Sequence, residues 1–346
     1  MPLNTIKRIL TSRAASPAKG AVLYRGRSDP SVRLSWVWTT ATHPDANLGD
    51  ALSAVVTAAI GHLPVARAAF NSSDERLAAV GTIGHALHNG RIHLWGTGFD
   101  LARDVTGANV GYTLPINTDL VPHAVRGRET GNALRQRGLS VPEIYGDPVW
   151  FLPKIFPDPC TKLFELGVIV HISELERPRA DAVVRKTIER YKILPEQVGK
   201  IKIINTYAAA TLDGLRQKTD EILSCRRILS TSLHGLVIAE AYGIPCAWFP
   251  TYFEAPGRLP IGGKLPIDHR MRDFYSGTGQ NYVLSYPQPL SVATDWIDAI
   301  RFLDENWRQI AYSGVDLFNA FPLRKNVKFE EATWHLPQKV LENIPI

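Results

Sequence analysis

Residues 230–245, STSLHGLVIAEAYGIP, form the segment of this chain whose residue types carry the most specific chemistry. Ser232 is suited to cap a helix through its hydroxyl, and the Gly-Ile-Pro at the far end stops that helix. The first turn then contains Leu233, His234 and Gly235. Because free N–H groups and the helix dipole favour an anion there, His234 is placed to hold a phosphate or a carboxylate. The alternative is a histidine that only caps a packed strand–helix unit.

A second cluster, Asn-Leu-Gly-Asp at residues 47–50, stands in a loop that opens another helix. Asn47 and Gly49 are candidate ligand contacts, because a glycine lets the backbone approach a ligand closely. Asp50 is suited to acid–base chemistry or to a ligand contact. The alternative for Asp50 is an N-cap of the helix.

A third cluster, Val-Arg-Gly-Arg-Glu-Thr at residues 125–130, places two arginines around a glycine where a strand ends. The guanidinium groups of Arg126 and Arg128 could bind a carboxylate or a phosphate through paired hydrogen bonds. The alternative is a surface salt bridge.

Two further clusters are weaker. Tyr-Gly-Asp-Pro at residues 145–148 supplies Asp147, which either serves the site or forms an Asx turn before the proline. Asp-Phe-Tyr-Ser-Gly-Thr-Gly at residues 273–279 contains Tyr275 and follows Arg270 and Arg272. A glycine-containing loop beside basic residues is a weak signal for phosphate binding.

The elements that position these clusters alternate between strand and helix patterns, which predicts an α/β fold. Two successive series favour two Rossmann-like domains that face each other across a cleft, where ligands collect. We predict a basic segment at 1–33, domains at 34–153 and 154–290, and a helical tail at 291–346. Strand patterns occupy residues 32–38, 77–80, 91–95, 123–126, 166–172, 200–205, 226–230 and 246–249. Helix patterns, besides the one after Ser232, occupy residues 51–60, 129–137, 181–191, 212–224 and 292–312, and residues 256–266 are predicted to be a loop.

Composition narrows the function classes. The chain has 346 residues, of which 45% are hydrophobic and 21% charged, values that are ordinary for a globular protein. Its three cysteines show no metal or redox spacing, so we expect free thiols in a reducing cytoplasm. There is no P-loop, no G-x-S-x-G and no H-E-x-x-H motif.

The net charge of +6 is concentrated at one end, because residues 1–33 hold seven Lys and Arg against one Asp. No basic stripe remains for the folded body, which argues against a nucleic-acid partner. A basic arm suits an anionic membrane surface and predicts a cytoplasmic protein that is peripheral on the inner face of the plasma membrane. The alternative is a solvated tail.

Six motifs together resemble the polysaccharide pyruvyltransferase family. In chain order they are NLGD, WGTGF, VRGRET-x3-L-x3-G, VPEIYGDP, SLHGLVIAEAYGIP and DFYSGTG. The similarity is closest to enzymes that add pyruvyl ketals to exopolysaccharides such as xanthan and succinoglycan. It covers residues 47–279 and leaves the basic segment and the tail after residue 290 unexplained.

This resemblance implies a glycosyltransferase-B-like fold with its active site between two Rossmann-like domains. It implies phosphoenolpyruvate as donor, and as acceptor a pair of sugar hydroxyls on an exopolysaccharide or a polyprenyl-linked oligosaccharide. It implies no nucleotide cofactor and no obligatory metal. Some members of the family carry Arg-Leu-His-Gly where this chain has Ser232 before Leu-His-Gly, so another cation must replace that arginine. The candidates are Arg126, Arg270 and Arg272.

Ketal formation needs an acid and a base beside the reacting carbon. His234 could protonate the carbon or the leaving phosphate, and Asp50 or Asp147 could accept a hydroxyl proton; the assignment among the three is open. The expected substrate-binding residues are Asn47, Gly49, Arg126, Arg128, Ser232, Leu233, Gly235, Arg270, Arg272 and Tyr275. The aromatic residues considered as sugar platforms, with the protein core as the alternative, are Trp95, Tyr145, Trp150, Tyr252 and Tyr275.

Two other function classes compete with this interpretation. One is a nucleotide-sugar glycosyltransferase of the same fold, in which Glu240 would bind a ribose. The other is a non-catalytic glycan-binding or lipid-binding module that works within a biosynthetic complex.

Overall fold

The computed structural model describes residues 31–158, 161–252, 254–342 and 344–346, so nearly all of the predicted basic segment lies outside the described residues. The strands are β1 (Val32–Ser35), β2 (Ala46–Asn47), β3 (Val65–Arg67), β4 (Arg76–Ala78), β5 (Gly90–Thr97), β6 (Thr118–Val125), β7 (Leu166–Val170), β8 (Ile201–Asn205), β9 (Tyr207–Ala208), β10 (Ile228–Ser230), β11 (Cys246–Trp248), β12 (Gly257–Pro260) and β13 (Tyr282–Ser285). The helices are α1 (Leu48–Gly61), α2 (Arg128–Gln136), α3 (Leu152–Ile155), α4 (Leu212–Leu223), α5 (Leu233–Ala241), α6 (His269–Gly277), α7 (Trp296–Asn306), α8 (Val315–Asn319) and α9 (Gln338–Leu341).

Two sheets with mainly parallel strands dominate the structure. The first has the order β3-β1-β4-β5-β6 and is parallel throughout. The second has the order β12-β13-β11-β10-β7-β8 and is parallel except for β12, an antiparallel edge strand. A short antiparallel pair of β2 and β9 joins the loop before α1 to the chain after β8. The predicted α/β class with parallel sheets is confirmed.

The hydrophobic pattern explains why β7 lies inside the second sheet. All five of its residues are buried, as expected for a parallel strand covered on both faces. Leu166 and Val168 face one hydrophobic cluster, which also contains Trp296 of α7. Ile169 faces the opposite cluster, which contains residues of α1 and α5.

The helix predicted at 181–191 is wrong, because only a 3₁₀ turn, Glu189–Tyr191, forms there. Backbone groups of this segment pair elsewhere. The Asn205 side-chain amide donates to the carbonyls of Arg179 (2.8 Å) and Ala182 (3.1 Å), and Leu175 forms an antiparallel bridge with Val184. Tertiary hydrogen bonds therefore replace the helical ones.

Two other predicted elements also differ. The predicted loop at 256–266 contains β12, and a strand ending in a proline is acceptable at the edge of a sheet. The predicted helix at 292–312 is shorter, because the Asp295 side chain caps α7 by accepting from the N–H groups of Ile297 and Asp298. α7 ends before Trp307, whose backbone is extended.

One hydrophobic cluster runs between the two sheets. α1, α5 and the 3₁₀ turn Pro148–Phe151 contact one another, and Val149 and Phe151 are buried among them. Residues 148–151, just before the predicted domain end at residue 153, therefore lie in a core that both sheets share. The tail also returns to the first sheet, where the Trp95 indole donates to the Leu317 carbonyl (2.8 Å). The division into domains stays a prediction.

No helix in the described part of the chain is long and apolar enough to cross a membrane.

A buried ion pair links the end of β6 to α6. Arg126 is fully buried, and its Nε lies 3.2 Å from Oδ2 of Asp273. Asp273 also accepts from the Thr130 hydroxyl (2.7 Å) and from the Thr130 N–H (3.0 Å). Beside it, the Arg272–Glu129 pair joins α6 to α2, the helix that contains Thr130, and both of its side chains are partly exposed.

We predict that Asp273→Ala lowers the free energy of unfolding by about 3–5 kcal/mol, because it leaves the Arg126 charge buried and unpaired. The matched change Arg272→Ala is expected to cost less than about 1 kcal/mol, since exposed ion pairs are weak. Urea unfolding of the two variants measures the difference. Equal losses would show that burial does not set the strength of these pairs.

Candidate active site

A cavity of about 220 Å³ lies at the carboxyl ends of the parallel strands, where ligands bind in open α/β sheets. The N-terminal ends of α1, α5 and α6 all reach it. Its polar lining consists of Asn47, Asp50, Thr82, His171, Thr206, Ser232, His234 and Arg270. Three helix N-termini that converge on one cavity create a positive potential suited to an anion.

His234 stands in the first turn of α5, as predicted, between two carboxyl-bearing segments. Its Nε2 lies 3.5 Å from Oδ2 of Asp147. Asp147 is buried at the start of the 3₁₀ turn, where its Oδ1 accepts from the Val149 N–H (3.0 Å). The Asx turn considered for Asp147 thus holds one carboxylate oxygen, while the other faces the histidine.

The opposite side of the His234 ring lies against the first turn of α1. A Cβ built on Gly49 would fall 1.8 Å from His234 Nδ1. No side chain fits in that space, so this position requires glycine for close approach. The close approach that Gly49 permits is therefore to the His234 ring, and ligand binding by Gly49 stays a prediction.

Asp50 lies one residue further along α1 and lines the same cavity. Burial and, to a smaller extent, the charge of Asp147 raise the pKa of Asp50, His234 and Arg270 oppose the rise, and the resulting pKa is about 6. A carboxyl group with such a pKa can both donate and accept a proton near neutral pH. Asn47 holds the N-cap position, so the alternative of Asp50 as N-cap is wrong.

Arg270 is the cation of α6 that lines the cavity. Its guanidinium donates two hydrogen bonds to the Asp268 carboxylate, from Nε to Oδ1 (3.0 Å) and from Nη2 to Oδ2 (2.7 Å). Burial alone would raise the pKa of Asp268, but the hydrogen bonds and charge of Arg270 lower it to about 2. The guanidinium therefore keeps its orientation at the edge of the cavity.

Only one of the three candidates for the missing arginine reaches the lining. Arg270 lines the cavity together with Ser232, whereas Arg126 lies behind it and donates from Nη1 to the Thr82 hydroxyl (2.6 Å). Arg272 pairs with Glu129 at the surface. Donor binding by Arg126 or Arg272 stays a prediction, and their positions favour structural roles.

The Ser232 hydroxyl does not cap α5, although Ser232 occupies the N-cap position. Ser230 serves this turn instead, because its Oγ accepts from the Ser232 N–H (3.0 Å) and donates to the Ser232 carbonyl (2.7 Å). The capping prediction is therefore wrong in its mechanism. Leu233 is buried and lines the cavity, and Gly235 leaves room for the Ser230 hydroxyl.

Two of the expected binding residues lie elsewhere. Arg128 sits over the Tyr145 ring and donates from Nε to the Ser276 carbonyl (3.3 Å). Tyr275 is buried, and its hydroxyl donates to Oε1 of Glu240 (3.0 Å). Glu240 belongs to the same buried group, and burial raises its pKa to about 7. Because both side chains are buried and bonded to each other, the structure argues against Tyr275 as a substrate-binding residue and against Glu240 as a ribose ligand.

The predicted sugar platforms are not in the cavity lining either. Trp95, Tyr145 and Tyr275 are core residues. Trp150 packs edge-on against Tyr312, and Tyr252 packs against Trp248. For these residues the core alternative describes the structure better.

Sequence analysis missed three polar residues of the lining, namely Thr82, His171 and Thr206. Each follows the carboxyl end of a strand that the hydrophobic pattern did predict. The rule that ligands bind at this edge of a parallel sheet would have identified them. A larger cavity, of about 540 Å³, lies beside β7 and β8, but its lining is mainly apolar and lacks the histidine and paired acids.

Among the described residues, no group of three or more His, Cys, Asp or Glu side chains is arranged to hold a metal ion.

A family model described as polysaccharide pyruvyl transferase matches residues 78–251, half of the chain. The chain belongs to this family. Membership implies transfer of a pyruvyl group onto a polysaccharide. A search of curated proteins returns no match.

The part of the chain that defines the pyruvyl transferase family includes Asp147 and His234 but neither Asp50 nor Arg270. These two residues come from segments before and after the match, and the fold brings them into the same cavity.

We predict that Gly49→Ala inactivates the protein, because the added methyl group would overlap the His234 ring. Displacement of a catalytic group by about 1 Å can cost about 10²-fold in rate. Gly257→Ala is the matched control, since a Cβ there has no atom within 4 Å. Turnover and thermal unfolding are measured for both. Full activity of a folded Gly49→Ala variant would contradict the close contact.

We predict a pH-dependent gain in stability from Asp50→Asn. The pKa of Asp50 rises from 3.8 to about 6 on folding. The stability that protonated Asp50 contributes is therefore fully present below about pH 4 and is lost as the pH rises through 6. The variant avoids this loss and should gain up to about 3 kcal/mol between pH 4 and 7, while its activity falls. Urea unfolding at both pH values tests this. A pH-independent difference would refute it.

Proposed function

We propose that this protein transfers pyruvate from phosphoenolpyruvate onto two hydroxyls of one sugar, in an exopolysaccharide or its lipid-linked repeat unit, to form a pyruvyl ketal and release phosphate. The observation that carries the proposal is the convergence of three helix N-termini and Arg270 on a cavity that His234 and Asp50 line, with Asp147 3.5 Å from the histidine. Membership in the pyruvyl transferase family supplies the group that is transferred.

The chemistry of the donor explains why three helix N-termini, each with a partial positive charge, converge on one cavity. Phosphoenolpyruvate carries a carboxylate and a phosphate on the same carbon atom, so its site must stabilise two anionic groups at once. Backbone N–H groups at the N-terminal ends of α1 and α5 can donate hydrogen bonds to one group, and Arg270 can bind the other through a charge-assisted pair. The Ser232 hydroxyl, which takes no part in capping, adds a neutral donor.

The reaction balances without a cofactor. A proton adds to the terminal carbon of the donor, and a first sugar hydroxyl attacks the adjacent carbon and loses its proton. The bond to phosphate then breaks, and a second hydroxyl attacks the same carbon and loses its proton. Of the two hydroxyl protons, one is recovered in the new methyl group and one leaves with phosphate.

His234, Asp147 and Asp50 can move these protons. Asp147 orients the imidazole of His234, because its buried carboxylate lies 3.5 Å from Nε2. Asp50, with its pKa near 6, can take a proton from a hydroxyl and return it within one turnover. One acid and one base therefore flank the space in which the donor would lie.

A glycosyltransferase-B-like arrangement of two Rossmann-like domains is the architecture that we propose. Its support is that two parallel sheets direct their carboxyl ends toward one cavity. Association with the inner face of the membrane through residues 1–33 is likewise a proposal, supported by the charge of that segment.

Ligand-dependent stability distinguishes the enzyme classes. A ligand at a hundredfold excess over its Kd adds about 2.7 kcal/mol to the stability of the folded state. We predict an upward thermal shift with phosphoenolpyruvate, unchanged by a chelator, and little shift with uridine or guanosine diphosphate sugars. Incubation with phosphoenolpyruvate and an acceptor glycan should release phosphate and add the mass of a pyruvyl ketal.

Two variants complete this experiment. His234→Ala should lower turnover by about 10²–10⁴-fold, because it removes a proton-transfer group. The exposed His335 serves as control, and His335→Ala should react like the wild type. A shift with a nucleotide sugar and none with phosphoenolpyruvate would make the protein a glycosyltransferase. Binding of a glycan without phosphate release would make it a binding module.

A further inference from the structure

A second cavity, of about 240 Å³, adjoins the one that contains His234. The two cavities share four lining residues, namely Val37, Asn47, Asp50 and Ile172. Asp50 therefore stands at the junction. The second cavity extends away from the helix N-termini toward β2, β9 and the loop after β1.

The wall of this second cavity is aromatic. Trp36, Trp38 and Tyr207 all line it. Trp38 is partly exposed, with the buried Trp36 edge-on to it at 5.6 Å and the Arg67 guanidinium 4.5 Å from its ring centre. These two contacts hold the orientation of the Trp38 ring.

The position of Tyr207 relative to the catalytic carboxyl group is set by backbone pairing. Tyr207 in β9 is the direct partner of Asn47 in β2, three residues before Asp50. Burial raises the pKa of Tyr207, and the charges of Asp50 and Asp45 raise it further. The phenol thus stays protonated, as a hydrogen-bond donor close to two carboxyl groups.

Polar groups complete the cavity. Thr39, Thr40, His43 and Asp45 also line it. Asp45 is held in place by Arg179, whose Nε donates to it (2.9 Å), and by the Ala180 N–H (2.8 Å). An aromatic wall with hydroxyl, imidazole and carboxylate groups around it can pack against the C–H face of a sugar while binding its hydroxyls.

We propose that this second cavity is the acceptor subsite and binds one pyranose ring, with Trp38 and Tyr207 as its platform. The inference rests on the proposed function, because it assigns the His234 cavity to the donor. The size agrees, since about 240 Å³ is below the about 300–1,000 Å³ of sites for drug-sized ligands and suits a single ring. A sugar bound here presents its hydroxyls to Asp50, which makes Asp50 the base for the acceptor.

Saturation-transfer NMR with the methyl pyranosides of glucose, mannose and galactose tests the subsite directly. We expect at least one of the three to bind the wild-type protein. Trp38→Ala should weaken that binding about tenfold, the size of effect expected when a stacked aromatic ring is lost. Trp38→Leu, which retains apolar volume, should weaken it as well and serves if the alanine variant does not fold.

The matched control is Tyr282→Ala. Tyr282 is also a partly exposed aromatic residue beneath an arginine, Arg258 at 5.1 Å, but it lies outside both cavities. Its variant should bind the pyranoside as the wild type does. Both Trp38 variants should retain the thermal shift with phosphoenolpyruvate, and the KM for an acceptor glycan should rise while the KM for the donor does not.

Each result decides one proposal. If none of the three pyranosides binds the wild-type protein, or if binding survives in a folded Trp38 variant, the acceptor subsite is refuted. If a nucleoside competes with the pyranoside, the cavity is a nucleotide pocket and the subsite is again refuted. Failure of the proposed function appears separately, as the absence of any phosphoenolpyruvate shift in the wild type.

Discussion

The contact between the first turn of α1 and the His234 ring is the constraint on which the rest of the site depends. α1 begins at the strand pair of β2 and β9, and α5 begins at the end of β10, so the two helices start from different sheets. They can meet this closely because Gly49 has no side chain. The same approach brings Asp50 near enough for the charges of His234 and Asp147 to act on it, while Asp147 lies 3.5 Å from the histidine.

This approach has an electrostatic cost that the fold offsets locally. Burial raises the pKa of Asp50, and repulsion by the nearby carboxylate of Asp147 adds to the rise. His234, Arg270 and the positive ends of the helices counter that repulsion. A dianionic donor would occupy the positive region, so the charges that stabilise the protein alone are also those that a ligand would use.

Sequence reasoning succeeded where the information is local. The helix after Ser232, the position of His234 in its first turn and the parallel strands follow from short patterns of apolar residues, glycine and proline. The second strand series was found because β7 is apolar along its whole length.

Sequence reasoning failed for residues whose roles depend on contacts with residues distant in sequence. The side chain of Arg126 looks the same in sequence whether it binds a ligand or Asp273, and only the fold shows that Asp273 lies beside it. Tyr275 was misassigned because nothing near it in sequence reveals Glu240 as its partner. The predicted helix at 181–191 was wrong because tertiary contacts take its backbone groups, among them the Ala182 carbonyl, which accepts from the Asn205 amide of β8. Trp38 and Tyr207 are far apart in sequence and line the same cavity because β2 pairs with β9.

The burial of α1 has a consequence for how the protein is made. Nearly every residue of α1 is buried, so the helix is covered on all sides, including the side that faces α5. During translation α1 leaves the ribosome long before α5, and the Asn326 amide that donates to the Gly61 carbonyl emerges later still. The apolar surface of α1 therefore stays exposed while about half of the chain is synthesised, and such exposure favours aggregation and binding by chaperones.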